Sequence, residues 1–270
     1  MKRARISLLF LLFISCQAVA DTIEEVTESY TDMQLSEGEP NHAENFHGIL
    51  GAGVFTGERI LGEGGRWTLP LPLVVMRYRD LAYWSITGGG VWLVQSDDHT
   101  ARFGIGMRSQ SGWKPGDDAM LAGMERRIKS IDGYLNASWR TSVATIGAHY
   151  YHDIGGASHG DSASLRLSHS FLMASGLLLT PSLSTTWLDN KRVDYYYGVR
   201  SEEATPWRPV YAGSATFNTS VGVSGLYRLP DDWVLLGGVV GTHLGNEIVD
   251  SPIVSRRYSG IIYAGAGWHF

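Results

Sequence analysis

The sequence has very little cysteine. Its one cysteine, Cys16, lies in an N-terminal segment in which three basic residues precede a short apolar run and an Ala-Val-Ala motif. This order predicts a secretory signal peptide at residues 1–20, cleaved before Asp21. The exported protein would then have neither a disulfide nor a thiol. The alternative, a lipoprotein acylated at Cys16, requires a small aliphatic residue where Phe13 stands.

Long apolar runs are also missing. The apolar part of the predicted signal peptide, residues 6–14, is far shorter than the roughly 20 residues that a membrane-spanning helix needs. No later stretch reaches that length without a polar interruption. We therefore do not expect a helix anchored in an inner membrane.

Residues 46–270 have no excess of charge of either sign. The whole chain has 22 basic and 27 acidic residues, and eight of the acids lie in residues 21–45, which contain no Lys or Arg. The sequence therefore predicts an acidic flexible segment at 21–45, either a spacer or a docking segment for a basic partner. With no basic surface, nucleic acid is not an expected partner. The eight acids are Asp21, Glu24, Glu25, Glu28, Asp32, Glu37, Glu39 and Glu44.

Helical periodicity is absent from residue 46 onward, and short alternating segments take its place. Residues 215–227 and 163–171 have mostly apolar side chains at odd positions and mostly polar ones at even positions, as in a strand with one face in an apolar environment. A soluble β-sandwich would show the same alternation. Aromatic residues near the predicted strand ends favour a membrane barrel, because such residues form girdles at the two interfaces. They are Tyr78, Trp84, Trp139, Tyr150, Tyr151, Trp187, Tyr227, Trp233, Tyr258, Trp268 and Phe270.

Turn signals set the predicted number of strands. Short periplasmic turns and long outer loops alternate in such barrels. Here two short turns, at 79–80 and 96–99, follow each other, so the alternation needs one more chain reversal between them. We place it at Gly88-Gly89-Gly90, because glycine permits the positive φ of a tight turn. The sequence thus predicts an all-β fold, a closed antiparallel transmembrane β-barrel over 46–270 with twelve strands. Ten strands, or a strand at 194–198, are alternatives. Short turns are predicted at 79–80, 96–99, 140–141, 174–175 and 229–232, and long connections at 57–68, 109–129, 152–160, 188–213 and 244–257.

The predicted register directs several polar side chains into the lumen. Inward arginines either pair with carboxylates as packing or line a narrow path that prefers anions. The candidate lumen residues are Arg102, Arg108, Arg140 and Arg166, with Asn136, Ser168, Asn218 and Ser220.

No catalytic, metal or cofactor site is predicted. His149, His152 and His159 lie with Asp153 and Asp161 around one outer loop, but their spacing matches no zinc motif. The sequence also has no Gly-x-Ser-x-Gly nucleophile elbow. A hydrolase at the barrel rim, acting on lipid or lipopolysaccharide, is therefore only a third hypothesis.

Several strings occur in the order found in one known family. Asp194-Tyr195-Tyr196-Tyr197-Gly198, Asp250-Ser251-Pro252, an earlier Leu-Pro-Leu-Pro-Leu and an aromatic last strand resemble those of the MltA-interacting protein (MipA)/OmpV family over about residues 46–270. The resemblance implies a Gram-negative outer-membrane barrel, whose namesake joins a murein-cleaving lytic transglycosylase to a murein synthase. It also implies that the barrel-assembly machinery recognises the last strand through Gly265, Trp268 and Phe270.

The leading functional hypothesis is a non-enzymatic scaffold in the outer membrane, in contact with membrane lipid and lipopolysaccharide. It would organise a murein hydrolase and a murein synthase through its periplasmic turns and acidic segment. A narrow solute channel is the alternative. Under either hypothesis, the tyrosines at 195–197 would lie in an outer loop, where they form a constriction of the barrel mouth or pack within the loops.

Overall fold

The computed structural model describes residues 46–79, 81–173 and 176–270, and its strands in these ranges form one closed antiparallel barrel. The predictions for residues 1–45, namely the signal peptide, Cys16 and the acidic segment, lie outside the described residues. The strands are β1 (Phe46–Glu58), β2 (Arg66–Tyr78), β3 (Ala82–Ser85), β4 (Gly88–Gln95), β5 (Ala101–Gln110), β6 (Ser130–Arg140), β7 (Thr145–Asp153), β8 (Asp161–Ser168, continued by Phe171–Leu172), β9 (Leu177–Leu188), β10 (Thr216–Arg228), β11 (Trp233–His243) and β12 (Tyr258–His269).

Within the ranges that the structure describes, helical structure is confined to the outer loops. Helix α1 spans Asn190–Tyr197 and helix α2 spans Asn246–Val249, and 3₁₀ turns occupy Pro115–Asp117, Ala119–Leu121 and Ser201–Glu203. None of the helices in the described ranges is long and apolar enough to cross a membrane.

The barrel closes where β1 pairs with β12. Gly51 lies opposite Gly267 in this ladder. A Cβ atom on Gly51 would lie 2.1 Å from the carbonyl oxygen of Ala266 and 2.4 Å from the Cα of Gly267. Because real Cβ atoms do not approach backbone that closely, glycine at this position allows the first and last strands to meet.

Short turns at one end of the barrel alternate with connections at the other end, and these are long, as predicted, except for the two-residue turn at 86–87. The short ones lie at 79–81, 96–100, 141–144, 173–176 and 229–232, and the other end carries 59–65, 86–87, 111–129, 154–160, 189–215 and 244–257. The prediction of a closed all-β barrel with twelve strands is therefore confirmed for the part of the chain that the structure describes. By the usual orientation of such barrels, the short turns and both ends of the barrel chain face the periplasm.

The predicted reversal at Gly88-Gly89-Gly90 was wrong. The chain turns at Ile86 and Thr87, and the three glycines lie in β4, where none of them has a positive φ. They serve close approach instead, since a Cβ on Gly90 would lie 2.6 Å from the hydroxyl of Tyr83. The number of strands was right, but the physical role given to these glycines was not.

The register separates a lipid face from a lumen face. Residues that are directly opposite in the ladders share a face, and the outward residues of β5 and β10, such as Phe103, Ile105, Phe217 and Val221, are exposed. Of the predicted girdle aromatics, Trp84, Trp139, Tyr150, Tyr227, Trp233, Tyr258 and Trp268 are outward and exposed. Tyr151 is a correction, because it faces the lumen and is buried against the guanidinium of Arg108.

The lumen has two unlike sides. Strands β11, β12, β1 and β2 supply an apolar side, extended by Leu178 of β9 and Leu226 of β10, and strands β5–β8 supply a polar side with arginine, serine and tyrosine. The sequence did not predict the apolar side, because β11, β12, β1 and β2 are apolar on both faces and alternation cannot orient them. The apolar side consists of Ile49, Phe55, Leu71, Leu73, Val75, Leu178, Leu226, Val234, Leu236, Ile261 and Tyr263.

One strand edge is left without a partner at the outer end of the barrel. The short β3 pairs with β2 only from Val75 to Tyr78, so none of the described strands pairs with that edge of β2 at 66–74. Gly48 of β1 exchanges both backbone hydrogen bonds with Phe270, so the even residues of β1 bond to the C-terminal end of the chain. The odd residues of β1 therefore bond to the odd residues of β2, which lie opposite them. The even residues of β2 consequently point their backbone N–H and C=O groups away from β1. Pro70 and Pro72 are even residues, and proline has no N–H to expose there.

Candidate functional site

The long loops pack into a compact structure over the outer end of the barrel, here called the outer cap and made of residues 59–65, 111–129, 189–215 and 244–257. Its hydrophobic core is separate from the lumen side described above. Because the core joins four loops that are distant in sequence, the outer cap is a folded layer and not a set of independent loops. Its buried members are Ile60, Leu61, Trp113, Leu121, Met124, Val193, Tyr196, Val199, Leu244, Ile248 and Ile253, and Leu188 at the end of β9 is buried with them.

Helix α1 is the centre of the outer cap, and other loops satisfy its last carbonyl groups. A helix leaves its final C=O groups without partners inside the helix. The carbonyl of Tyr195 accepts from Arg127 Nε at 2.7 Å, that of Tyr196 from Trp113 Nε1 at 2.9 Å, and that of Tyr197 from Ser251 Oγ at 2.5 Å. Two separate loops, 111–129 and 244–257, are therefore fastened to one helix end.

A buried ion pair lies beside this helix end. Arg127 donates from Nη1 and Nη2 to the two carboxylate oxygens of Glu203, each at 2.8 Å, and both side chains are at most 2 % exposed. Burial acts to raise the pKa of Glu203, but the hydrogen bonds from Arg127 and from the backbone N–H groups of Arg200 and Glu125 outweigh it and lower the pKa to about 2. The pair is therefore ionised at neutral pH.

A second buried arginine ties α1 to the barrel wall. Arg192 makes a bidentate contact with Asp132 of β6, at 2.9 and 3.0 Å, and also donates to Gln110 and to the carbonyl of Gly160. Arg192 and Asp132 are completely buried. The bidentate geometry fixes the helix over the polar side of the lumen.

The two family-motif strings meet in the outer cap. Ser251 bonds the carbonyl of Tyr197, and Gly198 passes so close to α1 that a Cβ there would lie 2.3 Å from the carbonyl oxygen of Asp194. Residues 194–197 are helical, so the alternative of a strand at 194–198 was wrong. The tyrosines pack within the cap core, Asp250 lies directly after α2, and Pro252 follows Ser251 into the buried segment that ends the cap.

The four candidate lumen arginines all face the lumen. Arg102 and Arg108 lie on β5, Arg140 on β6 and Arg166 on β8, opposite inward residues of their neighbours. Arg108 approaches Asp132 at 3.7 Å. Asn136, Ser168, Asn218 and Ser220 share this face.

The sequence reasoning missed two further inward arginines. Arg77 and Arg228 face the lumen from the ends of β2 and β10. Arg77 stands in a strand that is apolar on both sides, so only its pairing with an inward residue of the next strand identifies its face, and the remaining signal was a charged residue within an otherwise apolar run. Arg228 is the last residue of β10, directly after the alternating segment 215–227.

The histidine cluster proposed as a third hypothesis is not assembled. His149 faces the lumen and stacks on Tyr151 with ring centroids 5.7 Å apart, whereas His152 faces outward and bonds Asp161 at 2.7 Å. Asp153 accepts hydrogen bonds from Ser130 and from the loop at 156–159. Among the described residues, no group of three or more His, Cys, Asp or Glu is placed to hold a metal.

The candidate assembly residues lie on the closing strand. Gly265 is opposite Gly53 and Trp268 is opposite Leu50 in the ladder with β1. Phe270 exchanges backbone hydrogen bonds with Gly48, at 2.9 and 3.1 Å, and its ring stacks on that of Trp268. These contacts position the three residues at the seam and the periplasmic end, and their recognition by an assembly machinery stays a prediction.

A lipid-facing sheet with aromatic girdles, closed on itself and capped at one end, defines the class of outer-membrane β-barrels. The family model described as MltA-interacting protein MipA matches residues 50–270, and the chain belongs to that family.

Two of the relatives that it resembles are described as outer membrane proteins. The chain is 27% identical over 150 residues to outer membrane protein Omp26La of Vibrio anguillarum, and 28% identical over 151 residues to outer membrane protein OmpV of Vibrio cholerae, in each case over 56% of this chain and 58% of the relative. It is 31% identical over 96 residues to the MltA-interacting protein of Escherichia coli, over 35% of this chain and 39% of that protein. The matched stretches thus cover less than two thirds of these relatives. The protein is an outer-membrane β-barrel of a Gram-negative bacterium.

Proposed function

We propose that this barrel is a non-enzymatic scaffold that holds murein-cleaving and murein-synthesising enzymes at the inner side of the outer membrane. The observation that carries the proposal is membership of a family whose model is described as MltA-interacting. A relative of 31% identity has the same description. A periplasmic enzyme of murein metabolism meets such a barrel at its short-turn end.

The short turns offer a surface for such partners. Val143 in the turn at 141–144 is 75% exposed, and Leu81 and Met173 in two other turns are about half exposed. Single exposed apolar residues are common, but several on one face support protein contact. The two other short turns carry acidic side chains, namely Asp97, Asp98, Asp231 and Asp232.

The turn at 96–100 is held in one conformation. Hydrogen bonds from Ser96 and Thr100 to Asp98 lower the pKa of this carboxyl to about 2. Asp98 therefore stays charged across the physiological range. A basic patch on a partner would find a preformed acidic turn.

The test is binding of the purified barrel, in detergent or nanodiscs, to a purified lytic transglycosylase and a purified murein synthase. We expect Val143→Asp to weaken binding at least tenfold. Trp207→Ser is the matched control, because Trp207 is 72% exposed in the outer cap on the opposite side of the membrane. Photo-crosslinking from position 143 in cells should recover murein enzymes, and recovery of assembly machinery alone would contradict the scaffold.

A narrow channel for anions is the second candidate, and the inward arginines favour it. The measurement is single-channel conductance in planar bilayers. Conductance steps that shrink when Arg102 or Arg166 is replaced by Gln would support the channel, because removing a fixed positive charge lowers the local anion concentration. A bilayer that stays silent after verified insertion would remove this candidate and leave the scaffold standing.

A further inference from the structure

The lumen of the barrel has an excess of positive side chains. The inward residues of the described strands include six arginines and two aspartates. Both aspartates lie at the outer rim, where Asp132 bonds Arg192 and Asp153 bonds Ser130. Toward the periplasm the charge is therefore positive. Arg77, Arg102, Arg140 and Arg228 lie within two residues of the periplasmic ends of their strands.

Four of the six arginines lie on one side of the lumen, and the opposite side is apolar. Arg102, Arg108, Arg140 and Arg166 belong to the contiguous strands β5–β8, and the apolar side belongs to the contiguous strands β11, β12, β1 and β2, with Arg77 at its periplasmic end. In a closed barrel these two sets of strands face each other. A ligand that fits both would be acidic along one face and apolar along the other.

The chain itself contains such a segment, directly before β1. Residues 21–45 contain eight carboxylates and no Lys or Arg. The segment joins the barrel at Phe46, at the periplasmic end. Charge and point of attachment therefore bring the acidic segment to the basic end of the lumen.

The apolar residues of this segment follow a helical spacing opposite to the acids. Ile23, Val26, Tyr30 and Met33 are three or four residues apart, which places them on one face of a helix. At 100° per residue, the acids at 21, 24, 25, 28 and 32 fall on the other face. The pattern thus has one acidic and one apolar face, as the lumen has one basic and one apolar side.

We propose that residues 21–45 fold back into the lumen from the periplasmic end, with their acids toward the arginines of β5–β8 and their apolar face toward the apolar side. The 25 residues span roughly 80 Å when extended, which is more than the height of the barrel. Twelve strands also enclose more space than the eight-stranded barrels that their own side chains fill. The occupant of this lumen is part of the same chain, which leaves the short turns as the surface for partners.

The test measures access to the lumen in the full mature chain, which has no native cysteine. Ser184→Cys places a reporter thiol on the lumen face of β9, opposite Arg166. Val143→Cys places a control thiol in a periplasmic turn. The rate of labelling by a water-soluble, bulky maleimide is compared between the native segment and a variant in which its eight acids are replaced by Gln or Asn.

We expect the neutralised segment to speed labelling at position 184 at least tenfold and to leave position 143 within twofold. With the native segment, 1 M NaCl should also accelerate position 184, because salt of that strength screens charge pairs beyond about 3 Å. This arm needs no change in the segment and so does not depend on folding of the variant. Equal rates at position 184 in all conditions would overturn the proposal, and so would equal acceleration at both positions, since that would report a loosened barrel.

Discussion

The ion pair between Arg127 and Glu203 provides the sharpest test of whether the outer cap is a folded layer. Both side chains are buried, and their bidentate contact lies beside the last carbonyl groups of α1. Glu203→Gln removes the negative charge and leaves the Arg127 guanidinium buried without it. Breaking one partner of a buried pair costs about 3–5 kcal/mol.

The lowered pKa of Glu203 gives a second measure of how much free energy the ion pair contributes. Lowering the pKa of Glu203 from 4.5 to about 2 corresponds to about 3 kcal/mol, at 1.36 kcal/mol for each pKa unit. The two routes agree. We therefore expect the free energy of opening of residues 190–204 to fall by about 3 kcal/mol, which is roughly a hundredfold faster amide hydrogen exchange at neutral pH.

The assay is hydrogen exchange followed by mass spectrometry on the folded barrel. Arg200→Met is the matched control, because the ion pair of Arg200 with Glu125 is exposed at 45% and 65% of the two side chains, and such pairs contribute less than about 1 kcal/mol. The double variant with Arg127→Met and Glu203→Leu leaves no buried charge and should recover most of the protection. If Glu203→Gln changes exchange no more than the control does, the pair does not hold the cap.

Three other predictions follow from the same geometry. Protection of α1 against hydrogen exchange should decline as pH falls from about 4.5 toward 2, because the stabilisation from Glu203 is present above its unfolded pKa and is lost as the folded pKa is approached. Glu203→Gln should abolish this pH dependence. A pH profile that is the same in the variant and the native protein would contradict the prediction. Gly51→Val should prevent closure of the barrel and abolish heat-modifiable gel migration, whereas Ala52→Val on the lipid face should not. Ser251→Ala should remove the bond to Tyr197 and cost about 1 kcal/mol of local stability by hydrogen exchange, while the exposed Ser255→Ala should be neutral.

The sequence predicted the barrel because the alternation of apolar and polar side chains and the positions of the turns both indicate the same strands. The odd residues of 215–227 are apolar and lie on the lipid face, and the order of short and long connections gave the correct strand number. The glycines at 88–90 were misplaced because glycine serves both turns and close contacts. The close approach of the neighbouring strands and of the Tyr83 ring distinguishes the two uses here.

Local sequence patterns could not predict the outer cap. Arg127 and Glu203 are 76 residues apart, and Arg192 and Asp132 are 60 apart, so nothing near either residue in the sequence indicates its partner. Tyr195 to Gly198 were recognised as a family string, but their role in ending α1 depends on side chains from two other loops. Long-range packing, and not propensity, decides this part of the molecule.

The free edge of β2 limits how this barrel can associate with other chains. An incoming peptide that tried to extend the sheet at 66–74 would meet five residues whose backbone groups point toward it, and two of these are Pro70 and Pro72. Two of the five donors that a thirteenth strand needs are therefore replaced by pyrrolidine rings. Sheet-to-sheet polymerisation at this gap is thereby disfavoured, and recruitment there would have to proceed through side chains.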